Sequence, residues 1–198
     1  NNLITILPQN LFRNSPVKDF YLDNNLLNGQ NDFSNCFSNY IKVIDLSNNQ
    51  LTGKLTFTNH LSLATLNLQG NQISSLVSTS GKSLPALTQL NLSGNLFSTI
   101  PGNFYSPVEC SAVNLLDLSF NQIAGTNITS QLSFPVYQFN LQSNGITALP
   151  SNYFGNDTNS AFCLGVLNLS ENFLQSIDEL GVSSLVNLQN FNIEHNIL

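Results

Sequence analysis

Apolar and polar positions recur along this chain with a long, regular period. In residues 87–97 apolar side chains occupy positions 1, 4, 6 and 11 of the stretch, and an asparagine occupies position 9. The spacing returns at Val17/Phe20/Leu22/Asn25/Leu27, Ile41/Ile44/Leu46/Asn49/Leu51, Leu63/Leu66/Leu68/Asn71/Ile73 and Val113/Leu116/Leu118/Asn121/Ile123. It continues at Val136/Phe139/Leu141/Asn144/Ile146, Leu164/Leu167/Leu169/Asn172/Leu174 and Leu188/Phe191/Ile193/Asn196/Leu198, and Asn2/Ile4 forms the tail of a ninth copy. From Asn2 to Asn196 the position-9 asparagines are 23, 24, 22, 24, 26, 23, 28 and 24 residues apart. A pattern of this type with a period in the twenties marks a solenoid, in which each repeat is one coil laid on the last.

The spacing predicts the local structure of each coil. Positions 4 and 6 are two apart, so on a short strand both point inward, while positions 3, 5 and 7 point out onto a sheet face. At position 9 the chain leaves the strand and strands backbone groups inside a core, where an amide side chain supplies both donors and an acceptor. Asn25, Asn49, Asn71, Asn95, Asn121, Asn144, Asn172 and Asn196 are therefore expected to form one structural ladder. Removing such a partner should cost about 1–3 kcal/mol.

Between strands the coils differ. Residues 2–12 carry Leu7-Pro8 followed by Phe12, residues 144–154 carry Leu149-Pro150 followed by Phe154, and residues 95–104 carry Ile100-Pro101 followed by Phe104. The prolines favour a stiff extended or turn backbone, and the phenylalanines are expected to stack as a second apolar column on the far side. Gly53 and Gly125 are expected to permit sharper turns. Residues 30–40, 74–83 and 156–161 are polar and turn-rich and read as surface loops, and residues 183–187 read as one short helical turn. No long amphipathic helical stretch fits between the strands. Residues 1–198 read as one solenoid of about eight coils.

With these motifs in view, the chain resembles a leucine-rich repeat protein over nearly its whole length. Its Leu-Pro-x-Asn-(Leu/Tyr)-Phe-like segments are similar to the typical class found in secreted and receptor proteins. Leu46-Ser-Asn-Asn49-Gln-Leu51-Thr-Gly53 resembles the plant-type class, without the Ile-Pro usual after that glycine. The resemblance implies an α/β-type solenoid, a horseshoe or superhelix. A parallel sheet would line the concave face, with loops and 3-10 turns on the convex face and little true helix. It also implies binding by the concave face.

Composition narrows the partners. Of 198 residues 41% are hydrophobic but only 8% charged, with a net charge of −6. Arg13, Lys18, Lys42, Lys54 and Lys82 are the only cations, which argues against nucleic-acid or anionic-membrane partners, since those need a basic footprint. No apolar run approaches a membrane span. There is no signal peptide and no initiator methionine; the sequence starts inside one repeat and stops inside another, which points to a piece of something longer or a processed chain.

The outward columns hold the binding candidates. Position 5 carries Tyr21, Asp45, Asn67, Asn91, Asp117, Asn140 and Asn192, position 7 carries Asp23, Gln69, Gln142 and Glu194, and position 3 adds Asp19. Sequons at Asn91, Asn127, Asn156 and Asn168 are candidates for N-glycans, the first and last arising from the repeat pattern itself. Cys36 and Cys110 sit at slots held by core residues elsewhere. Cys110 and Cys163 are two coils apart, roughly 10 Å by sheet steps against a bridging limit of roughly 7 Å, so no disulfide is expected unless loops shorten the span. Only His60 and His195 could join the cysteines as metal ligands, and neither shares a spacing with them. No metal site, cofactor or catalytic constellation is read from the chain. The expected function is non-enzymatic recognition of a protein or peptide, outside the cell or at its surface. The alternative is a structural subunit that associates head to tail into an extracellular filament.

Overall fold

The computed structural model of the protein describes residues 2–29, 32–57, 60–77, 84–101, 113–128, 135–150, 153–154, 163–177, 180, 182 and 185–198. Positions 3 to 5 of every repeat are strand: β1 (Asp19–Tyr21), β2 (Val43–Asp45), β4 (Thr65–Asn67), β6 (Gln89–Asn91), β7 (Val113–Asp117), β8 (Val136–Asn140), β9 (Val166–Asn168) and β10 (Asn190–Asn192). They form one eight-stranded parallel sheet in the order β1-β2-β4-β6-β7-β8-β9-β10. Its register follows the repeat: Phe20 opposes Ile44, Ile44 opposes Leu66, and Leu66 opposes Leu90. Ile44, Leu46, Leu66, Leu68, Leu90, Leu92, Leu116 and Leu118, from positions 4 and 6, are fully buried in one continuous apolar core.

The asparagines bridge successive coils. Asn95 Oδ1 accepts the Ile73 N–H of the preceding coil at 3.0 Å. Its Nδ2 donates to Leu68 O of that coil at 2.9 Å and to Leu92 O and Ser93 O of its own at 3.1 and 3.2 Å. Asn49, Asn71, Asn121, Asn144, Asn172 and Asn196 accept equivalent N–H groups from Leu27, Leu51, Phe97, Ile123, Ile146 and Leu174 at 2.9–3.1 Å. Asn25 accepts from Ile4 at 3.3 Å. Just before each asparagine, at position 8, the backbone is left-handed: Asn24, Asn48, Gly70, Gly94, Phe120, Ser143, Glu171 and His195 have φ between 52° and 65°. Glycine suits that geometry; a bulky Phe120 does not.

A second sheet is present that the residue pattern did not suggest. β3 (Thr52–Thr56) and β5 (Gln72–Val77) pair in parallel, with a register shift at Gly53/Lys54. Residues 74–77, read as part of a loop, are therefore strand. Residues 30–40 are likewise no simple surface loop, because Phe33, Cys36, Phe37 and Ser38 are buried and Asp32 bridges to Thr56. Phe33 stacks on Phe57 with ring centroids 5.1 Å apart, and Phe12 on Phe37 at 6.5 Å. His60 lies edge-on to Phe37 and Phe57, with Nε2 3.3 Å from the Phe33 carbonyl. A 3-10 helix spans Gly125–Asn127. Phe104, Cys110, Asn156 and the loop at 156–161 lie outside the described residues, as do positions 183 and 184 of the expected helical turn.

One expectation about the cysteines is corrected. Cys163 is disulfide-bonded, although sheet steps alone placed it beyond reach of a partner. Its partner lies outside the described residues. Cys36 is buried and keeps its thiol, with Sγ 4.0 Å from the Asp32 carbonyl.

Candidate functional site

The outer face of the eight-stranded sheet is built from positions 3 and 5, and it is more rigid than a row of solvated amides. At position 5 an Asx oxygen accepts the N–H two residues on, which turns the chain out of the strand. Asp45 Oδ1 takes both the Ser47 N–H at 2.9 Å and the Ser47 hydroxyl at 2.6 Å. Asp117 takes the same pair from Ser119 at 2.9 and 2.7 Å, and Asn91 takes it from Ser93 at 3.0 and 2.7 Å. Asn67, Asn140 and Asn192 accept the N–H groups of Gln69, Gln142 and Glu194.

This geometry corrects the expectation that every position 7 faces outward. Ser47, Ser93, Ser119 and Ser170 are 3–6% exposed, folded under the turn by their bonds to position 5. Where position 7 is longer, Gln69 and Glu194 reach solvent and Asp23 and Gln142 are half-buried. Asp19 is exposed and Tyr21 is 62% exposed, at the β1 edge of the face. Asp45, Asn67, Asn91, Asp117, Asn140 and Asn192 are half-buried.

A groove of about 420 Å³ crosses this face from Tyr21 on β1 to Leu115 on β7. Its walls combine position 5 (Asp45, Asn67, Asn91) with position 3 (Val43, Thr65, Gln89, Leu115). These four position-3 residues are not among the binding candidates, which take only Asp19 from that column. The signal that places them there is the two-residue spacing to position 5, which puts both columns on one side of a strand. Within the groove Asp45 Oδ2 accepts from Asn67 Nδ2 at 3.0 Å, so its carboxylate is held in place by three donors. No ion pair is present among the residues lining the groove, and Lys18 and Lys42, which precede their strands, do not line it.

At the far end of the sheet a polar rim follows the left-handed positions. Glu171 accepts hydrogen bonds from the Ser143 hydroxyl and, at 2.9 Å, from Gln142 Nε2. The Ser143 bond, then the Gln142 bond, with the nearby His195, hold the Glu171 carboxyl below its ordinary value. Among the described residues no group of three or more metal-ligating side chains converges, and no helix is long and apolar enough to cross a membrane.

Residues 61–123 match the family model described as leucine rich repeat, and residues 40–58 match a second leucine rich repeat model. This is a leucine-rich repeat protein. It is 31% identical over 181 residues to Tsukushi of Gallus gallus, an alignment covering 76% of this chain and 48% of Tsukushi, so the chain spans about half the length of that relative. Among solved structures it is similar to the plant peptide hormone receptor RGFR1 in complex with RGF2, at 23% identity and a TM-score of 0.46, over 91% of this chain and 32% of the receptor. It is also similar to a leucine-rich repeat protein of Leptospira interrogans, at 22% identity and a TM-score of 0.45, over 91% of this chain and 61% of that one.

The sequons of this leucine-rich repeat chain differ in setting. Asn127 is exposed, with Nδ2 3.2 Å from the Ser98 carbonyl. Asn91 and Asn168 are half-buried in the sheet face, their side-chain oxygens occupied by Ser93 and Ser170. Asn91 also lines the groove.

Proposed function

We propose that this leucine-rich repeat protein is a non-enzymatic recognition module that works outside the cell or at its surface and holds a protein or peptide on its sheet face. The observation that carries the reading is the groove across β1, β2, β4, β6 and β7, with Tyr21 at one end and Leu115 at the other. Aromatic and aliphatic side chains rimmed by polar groups are what a recognition surface needs. Asx turns hold the position-5 side chains in place before a partner arrives, which reduces the ordering cost of binding. The disulfide at Cys163 supports an oxidising compartment, and the exposed sequon residue Asn127 is compatible with N-glycans there.

A displayed random-peptide library selected on the purified protein tests this. Selected binders are measured again on Gln89→Arg, which obstructs the groove, and on Tyr40→Arg, which alters an exposed residue outside it. Loss of binding on the first variant alone is the expected result. Binders indifferent to Gln89→Arg, or no binders at all, would overturn the reading.

A further inference from the structure

Of the eight coils, two alone place an aliphatic residue at position 3 and a carboxylate at position 5: Val43-Ile44-Asp45 on β2 and Leu115-Leu116-Asp117 on β7. Val43 and Asp45 line the groove beside Tyr21 and Leu115 lines its β7 end, with polar Thr65/Asn67 and Gln89/Asn91 between them; Asp117 adjoins that end, directly opposite the lining residue Asn91. We propose that the groove binds an extended peptide that runs across the strands and carries two cationic side chains four residues apart, one seated at Tyr21 and Asp45 and the other at Asp117. The proposal rests on the sheet face being the binding surface and names the chemistry that surface selects.

Charge complementarity and spacing carry it. Asp45 and Asp117 are half-buried and fixed by Ser47 and Ser119, and no cation is among the residues that line the groove. Tyr21 opposes Asp45 directly in the β1–β2 register and is 62% exposed, so an arginine there meets a carboxylate and an aromatic face together. The alkyl stem of each cation lies on Val43 or Leu115. From β2 to β7 the sheet takes three steps, by way of β4 and β6. At about 4.8 Å per step that is about 14 Å, which an extended peptide of about 3.4 Å per residue covers in about four residues.

The test uses synthetic fluorescent peptides and fluorescence anisotropy at physiological ionic strength, on protein made in a non-glycosylating host so that Asn91 stays bare. One peptide spaces two arginines four residues apart in a Ser/Gly background, a second has the same composition with the arginines adjacent, and a third replaces both by glutamate. The variants are Asp45→Asn, Asp117→Asn and their combination. Asparagine already serves at position 5 in Asn67, where its Oδ1 makes the same turn bond, so the variants lose charge and keep the turn; a thermal melt checks this. The spaced peptide is expected to bind best. Each single variant should weaken it roughly three- to tenfold, and the double variant by about the product, since the two sites do not touch. Equal binding by the adjacent or acidic peptide, no binding of the spaced peptide, or unchanged affinity in both single variants would overturn the inference. Neutral or acidic library peptides that still lose binding on Gln89→Arg would sink this inference alone, whereas binders indifferent to Gln89→Arg would sink the sheet-face reading beneath it.

Discussion

The smallest unit that explains this protein is one amide. Asn95 satisfies one backbone N–H and three carbonyls that the turn leaves inside the core. Neither a carboxylate nor an alkyl group can do both jobs. Asn95→Leu is expected to lower unfolding free energy by about 3 kcal/mol or more. Asn95→Asp should be at least as damaging, because it turns a carboxylate toward the carbonyls of Leu68, Leu92 and Ser93. Asn67→Leu, half-buried on the outer face, should cost clearly less; denaturant melts of the three variants decide it. His60 makes a pH prediction at the same scale. Burial among Phe33, Phe37 and Phe57 holds its pKa below the ordinary 6.5, against the raising effect of the Phe33 carbonyl. The unfolded chain then binds a proton that the folded chain refuses, so this contribution to stability is full above pH 6.5 and is lost as pH falls toward the folded pKa. Between about pH 7.5 and about pH 5.5 the wild-type melting temperature should fall further than that of His60→Gln.

At the scale of elements, the strands of the main sheet were legible because one coil's own pattern of positions 4 and 6 defines them. The β3–β5 sheet was not. Ser74 and Ser75 read as loop, and nothing within one coil reveals that Thr52–Thr56 lies alongside Gln72–Val77 to supply their hydrogen-bond partners. The position-7 serines were misread for a related reason: their burial depends on a side-chain bond to position 5 rather than on strand alternation. Gly125 shows how closely adjacent coils approach. A Cβ there would stand 2.7 Å from Ala148 O and 2.9 Å from Ala148 N, both backbone atoms. Gly125→Ala is expected to cost about 1–3 kcal/mol from overpacking, more than Gly29→Ala, where no atom lies within 4 Å and only the left-handed φ of 65° opposes the methyl group. Paired thermal melts test the order.

For the whole molecule, stacking of like coils gives one apolar core that runs the length of the sheet, and stability is expected to be shared between neighbours. Alkylation in denaturant without reductant should modify one thiol per chain, Cys36, and prior reduction should raise that to all three cysteines. Mass spectrometry reads the difference, and modification of all three without reductant would show the bridge to be absent. Sedimentation velocity separates the recognition reading from head-to-tail assembly. A single small species is expected, and long fibres would favour assembly instead.

The sequence by itself determined the coil period, the inward and outward sides of each strand, and the need for an amide at every exit. Each follows from periodicity and backbone hydrogen bonding inside one repeat. Tertiary structure alone decided the second sheet, the disulfide and the groove that runs from Tyr21 and Asp45 to Leu115. Those depend on how neighbouring coils of unequal length lie against one another, and no single repeat encodes that distance.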